Sequence, residues 1–82
     1  MDTLGWAYYR NGDYPNAIIY LEKTVAAASD VPMLRYHLGM AYAAVKKNDK
    51  AKAELTKAVD SKNTYPGLEE ARAALKRLGG AG

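Results

Sequence analysis

The side chains able to do chemistry are few and far apart in this 82-residue chain. His37 is the sole histidine, and cysteine is absent, so thiolate chemistry, disulfides, Cys-based zinc sites and multi-histidine metal sites are all excluded. The acids Asp2, Glu22, Glu54, Asp60, Glu69 and Glu70 are scattered over faces expected to be exposed. None forms a pair with a reason for the raised pKa that general acid catalysis needs. Glu69-Glu70 stands in the first turn of an expected helix, where negative charge complements the helix dipole. No glycine-rich phosphate loop, zinc-ligand spacing or nucleophile motif is present. The expectation is a chain that is not an enzyme and that holds no cofactor or metal.

Lys46, Lys47, Lys50, Lys52 and Lys57 are the one dense charge cluster. Asp49 and Glu54 interrupt it and no aromatic is interleaved, so it reads as a solvated helix face rather than a nucleic-acid surface. The net charge of +3, from 12 Lys+Arg against 9 Asp+Glu, is also well short of what nucleic-acid modules carry. No apolar run approaches the roughly 20 residues needed to span a bilayer, so no membrane insertion is expected. Met1-Asp2-Thr3 lacks the basic-then-apolar layout of a secretory leader. A chain complete as it stands would therefore be cytoplasmic, whereas a longer parent could be periplasmic or membrane-associated; the residues leave the compartment open.

The elements that position these side chains are set by a repeat. Leu4, Gly5, Ala7, Tyr8, Ala17, Leu21, Lys23 and Val25 return 34 positions later as Leu38, Gly39, Ala41, Tyr42, Ala51, Leu55, Lys57 and Val59. Pro32 and Leu34 recur as Pro66 and Leu68. That period, with small and aromatic residues at fixed places, predicts a helical repeat array: an all-α chain of five antiparallel helices.

The first predicted helix covers residues 3–11, with Leu4, Ala7 and Tyr8 on one face. Gly12 offers a left-handed exit, Asp13 caps the next helix and Pro15 sits in its first turn. The second runs to about Ala28 with Ala17, Leu21, Thr24 and Ala28 stacked. Asp30 is the expected cap of a third carrying Leu34, Leu38, Ala41, Tyr42 and Val45. At the next turn Lys46 and Lys47 replace Gly12 and Asp13, so Asn48 or Asp49 is expected to cap and to move the fourth helix start by about a residue. That helix shows Ala51, Leu55, Ala58 and Val59. Ser61 to Thr64 breaks it, Thr64 caps and Pro66 opens a fifth helix with Leu68, Ala71, Leu75 and Leu78 on one side.

These residues resemble the tetratricopeptide repeat family, whose 34-residue unit is a pair of antiparallel helices. The resemblance is carried by Leu4-Gly5, Tyr8, Gly12, Tyr14, Ala17 and Leu21, then by Leu38-Gly39, Tyr42, Ala51, Leu55 and Ala58. It implies a single domain over 1–78: one repeat over 2–29, a second over 30–63 and a capping helix over 64–78, followed by a disordered glycine-rich tail at 79–82. Gly5 and Gly39 would let a neighbouring helix approach closely, and Ala73 at the next equivalent position fits a helix that nothing further approaches. The order Tyr65-Pro66-Gly67-Leu68-Glu69-Glu70-Ala71-Arg72 also resembles the ending of bacterial repeat proteins tied to surface-protein sorting and exopolysaccharide export.

In such a fold the first helix of each pair lines a concave groove. The resemblance puts Asp2, Trp6, Tyr9 and Arg10 on it, then Tyr36, His37, Met40 and Ala43, then Glu70, Ala74 and Arg77. The implied function is protein–protein interaction: a peptide or partner helix packs on Trp6, Tyr9, Tyr36 and Met40, with Arg10, Glu70 and Arg77 setting its orientation. The lysine, asparagine and arginine clamp that some members use for a terminal carboxylate is not matched, since Asp2, Trp6, Tyr36 and Met40 occupy that surface. The alternative is a structural piece that self-associates or terminates a longer array, because two repeats fall below the three or so usually needed for stability. Leu4, Trp6, Tyr8 and Tyr9 on the first helix would then form a homodimer surface.

Overall fold

The computed structural model describes residues 3–60 and 64–79. Among them are five helices and no strand: α1 (Thr3–Arg10), α2 (Tyr14–Ala27), α3 (Pro32–Ala44), α4 (Asn48–Asp60) and α5 (Leu68–Arg77). Each helix packs on the next, and α3 also reaches α5. This zigzag sets α1, α3 and α5 in one layer and α2 and α4 in the other. Asp2, the residues 61–63 of the last break and residues 80–82 of the tail lie outside the described residues.

The 34-residue period is a packing period. A methyl group on Gly5 would stand 2.8 Å from Leu21 Cγ, and one on Gly39 would stand 2.7 Å from Leu55 Cγ. Both leucines are fully buried, so each pair of helices closes around a glycine and a leucine that need each other. One core cluster joins Ala17, Leu21 and Val25 of α2 to Leu34, Leu38, Ala41 and Tyr42 of α3 and to Ala51. A second joins Tyr36, Leu55 and Ala58 to Ala71, Ala74 and Leu75 of α5.

The helix starts depart from expectation in three places. Asp13 does cap α2, its carboxylate accepting from the Asn16 backbone N–H at 3.4 Å and from Asn16 Nδ2 at 2.8 Å. Asp30 does not cap α3: Val31 holds that position without a side-chain hydrogen bond. The need is smaller there, because Pro32 at the first helical position has no N–H to satisfy. The fourth helix does not shift either. It starts at Asn48, 34 residues after Tyr14, and Lys46 takes φ +66° where Gly12 takes φ +82°. Moving the start by one residue would rotate α4 by about 100° and carry Ala51 and Leu55 off Gly39. Burying that leucine outweighs the roughly 1–2 kcal/mol that a left-handed lysine costs.

The third departure is at α5. Thr64 does not cap it and Pro66 does not open it. Pro66-Gly67 instead forms the middle of a turn, with Leu68 N–H donating to the Tyr65 carbonyl at 3.2 Å and Gly67 at φ +103°. Pro then Gly at positive φ is the pairing a type II turn requires. The Tyr65 hydroxyl ties this turn back to α4 by donating to the Ala58 carbonyl at 2.9 Å.

Candidate interaction surface on the layer of odd helices

Trp6 on α1 is the centre of an aromatic stack that crosses between the two repeats. Its ring lies 4.5 Å from that of Tyr9, one turn on, with planes 3° apart. It also lies 3.9 Å from the His37 ring of α3, with planes 10° apart, while Tyr36 tilts against it at 5.8 Å. Such contacts add about 0.5–1.5 kcal/mol per aromatic pair beyond burial, and the Trp6–Tyr36 pair adds its share between α1 and α3. Tyr36 is 8% exposed and His37 6% exposed, so neither is a freely presented side chain.

Beside this stack is an open cavity of about 410 Å³ lined by Trp6, Met33, Tyr36, His37, Pro66, Gly67 and Glu70. Its lining comes from α1, from α3 and from the turn and first coil of α5. Gly67 is what lets that turn approach: a methyl group there would stand 2.4 Å from Tyr36 Cε2. Glu70 is the charged side chain in the lining among the described residues. Burial lowers the His37 pKa to about 4, so the imidazole is neutral at physiological pH and adds no positive charge beside Glu70.

The tyrosine hydroxyls report the charges around them. Burial raises the Tyr36 pKa, with Glu70 and then Tyr9 adding to it. Burial also raises that of Tyr9, helped by Tyr14 and opposed by the positive charge of Arg77. Glu70 therefore acts on the Tyr36 end of the surface and Arg77 on the Tyr9 end. Seven residues of helix, about 10 Å, separate them along α5.

The expected site residues thus fall into groups. Trp6, Tyr36 and Glu70 line the cavity together; Tyr9 stacks behind Trp6; Arg77 is exposed on the same helix as Glu70. Met40 packs against the second core cluster, and Ala43 against the first. Arg10 is exposed and lines a different depression with Ala7 and Asn11. Ala74, expected on the groove, is 1% exposed: it is a core residue between Ala71 and Leu75. Met33, Pro66 and Gly67 were not anticipated. Met33 lies one turn before Tyr36 on the same face, a spacing that carries the signal; Pro66 and Gly67 read as helix and so were missed.

Two acids are not the free surface groups that their scatter suggests. Glu54 Oε1 receives Arg35 Nη1 at 2.8 Å, both side chains less than one-fifth exposed, and Arg35 Nε donates to the Ser29 carbonyl at 2.9 Å. Glu22 accepts from the hydroxyl of Tyr42, whose pKa is raised by burial first and by that bond second. Among the described residues no cluster of three or more His, Asp or Glu side chains could hold a metal ion, and no helix is long and apolar enough to cross a membrane. The cavity between α1, α3 and α5 is built by both repeats and the last helix together.

Comparison with protein families matches two models, each described as a tetratricopeptide repeat, one over residues 1–30 and one over residues 34–65. Comparison with curated proteins and with solved structures gives no significant match.

Proposed function

We propose, on the premise that this chain belongs to the tetratricopeptide repeat family, that it holds a peptide of a protein partner against the layer of α1, α3 and α5. Repeats of this family generally mediate protein–protein interaction, and the family is a non-catalytic interaction module. The observation that carries the finer reading is the cavity of about 410 Å³, which takes its walls from three helices and, among the described residues, has Glu70 as its charged lining group. Its size is that of sites that bury a large side chain or a small ligand. A basic or aromatic-basic side chain of the partner enters beside Tyr36 and meets Glu70. The Trp6 stack gives a rigid wall, and Arg77, about 10 Å along α5, meets an acidic group further along the same peptide. Arg10 and Met40 contribute less, the one through its position on another edge and the other through its packing.

Trp6 is the only tryptophan, so its emission reports on the cavity without a label. Peptides selected by display on the whole chain should shift that emission saturably and should favour a basic residue. Glu70→Gln should weaken the best of them by about tenfold, or 1.4 kcal/mol, with the far-UV spectrum unchanged. The reading fails if selected peptides leave the emission where it was, or bind Glu70→Lys as well as the parent.

Self-association through α1 has less to support it. Of Leu4, Trp6, Tyr8 and Tyr9, only Leu4 is exposed; the three aromatics are partly buried in packing within the chain. Sedimentation at high concentration tests it, since a monomer there leaves the homodimer without support.

A further inference from the structure

The fold breaks up the basic run Lys46 to Lys57 and assembles a different cluster of cations. The connections after α1, α2 and α3 are short and reverse the chain each time, so α1 and α3 end on the same side of the molecule. The end of α5 joins them. A methyl group on Gly79 would stand 3.9 Å from Lys52 Nζ, Leu78 packs on both core clusters, and the charge of Arg77 acts on Tyr9 near the end of α1. This end of the molecule holds Arg10, Lys46, Lys47, Lys76 and Arg77 from the odd helices and their turns, with Lys50 and Lys52 from the start of α4. Against these seven cations stand two acids, Asp49 and Asp13, the second of them occupied in capping α2. Elsewhere among the described residues the balance is reversed, with Lys23, Arg35, Lys57 and Arg72 against six acids. There Arg35 is paired with Glu54 and Arg72 with Glu69, whereas among the described residues none of the seven cations is in an ion pair.

Helix ends account for only part of this charge. Cations complement the dipole at the C-terminal ends of α1, α3 and α5. Lys50 and Lys52 stand instead at the opening of α4, where the dipole disfavours them. With Lys46 and Lys47 they take the places that Gly12, Asp13, Asn16 and Ile18 hold one repeat earlier. The exchange gives up the Asp13–Asn16 capping bonds and puts a lysine at φ +66°. Local stability is thus set aside at this turn in favour of charge.

We infer that this basic end is a binding surface distinct from the cavity, and that its occupant is an acidic segment of a partner protein. Neighbouring helices lie about 10 Å apart, so the three odd helix ends spread the charge over about 20 Å, the reach of about six extended residues. Carboxylates along such a segment meet ammonium and guanidinium groups that carry no ion pair of their own. Nucleic acid is matched less well, because the nearby rings of Tyr9 and Tyr14 pack on Trp6 and on each other rather than standing open to a base. A bilayer is matched less well too: the exposed large apolar side chains, Leu4, Ile19 and Tyr20, lie on none of the turns or helix ends that carry these cations.

The test titrates the whole chain into a labelled peptide of about eight glutamates, read by anisotropy at about 20 and 200 mM salt. Binding should saturate at low salt and weaken by about tenfold at high salt. Lys47→Glu combined with Lys50→Glu should weaken it by about tenfold at low salt with the far-UV spectrum unchanged, since both side chains are exposed and glutamate suits the opening of α4. Lys23→Glu combined with Lys57→Glu makes the same change in net charge away from this end and should cost less than about threefold. Glu70→Gln should leave the affinity as it was, which keeps this outcome separate from that of the cavity. Equal weakening by the two double variants would mean that net charge alone acts, and would overturn the inference, as would binding that never saturates. Tighter binding to a single-stranded oligonucleotide of matched charge, or to phosphatidylserine vesicles, would overturn the assignment of the occupant.

Discussion

The pair α1–α2 and the pair α3–α4 share most residues at their contact positions and the same turn geometry, yet they are held differently. The bonds that close the two turns match: Asp13 N–H to Tyr8 carbonyl and Lys47 N–H to Tyr42 carbonyl, each at 2.9 Å. The first pair is packed on one flank, the second on both. Equal local sequence therefore gives equal local geometry, while stability is unequal because it comes from neighbours. That is the behaviour of a quasi-one-dimensional array, in which contacts between units carry much of the energy.

The sharpest test of that difference uses one substitution at two equivalent positions. Leu38→Ala removes a buried side chain from the α2–α3 contact and should cost about 2–5 kcal/mol, a large share of what a domain of this size has. Leu4→Ala, half exposed, should stay within about 1 kcal/mol. Urea unfolding of both variants reads the gap directly. Similar losses at the two positions would mean that the α1 edge is covered in solution.

How much of this was legible in the residues depends on whether a property lives in spacing. The family resemblance implied that Gly5 and Gly39 admit a close neighbouring helix; that Leu21 and Leu55 are the side chains they meet came from the fold alone. The five helices followed from the repeat pattern. The stack of Trp6 on His37 could not be read, since spacing along the chain carries no distance between helices. Arg35 and Glu54 are 19 positions apart and look solvated until the fold brings them together. Gly67 was hidden by Pro66, which marks a helix start and a tight turn equally well.

The second pair also holds the only histidine, and with it a pH response in the mildly acid range. Burial puts the folded-state pKa of His37 at about 4, below the ordinary value of 6.5. Between those values the unfolded chain binds the proton more readily than the folded one. Stability is therefore fully present above pH 6.5, falls as pH drops toward 4 and levels off below. The slope approaches about 1.4 kcal/mol per pH unit for one fully shifted group. Denaturant midpoints across that range should show the decline, and His37→Gln should flatten it. A His37→Gln profile parallel to the parent would assign the slope to carboxylates instead.

The smallest expected effect separates backbone from side chain at the two turns. Gly12 and Lys46 occupy the same left-handed position, and a methyl group at Gly12 would meet nothing within 4 Å. At Gly12, then, packing does not confuse the comparison of conformational preference. Lys46→Gly should stabilise the chain by about 0.5–1 kcal/mol, the strain relieved less the added freedom of the unfolded state. For a domain of this length that is roughly 2–8 °C in Tm. Gly12→Lys should lose a similar amount. Lys46 also sits in a basic run with Lys47 and Lys50, so removing its charge could stabilise by itself. Lys46→Ala settles which cause operates, because alanine drops the charge but keeps the left-handed penalty. If alanine stabilises as much as glycine, the gain is electrostatic, and the second turn is held by register without measurable strain.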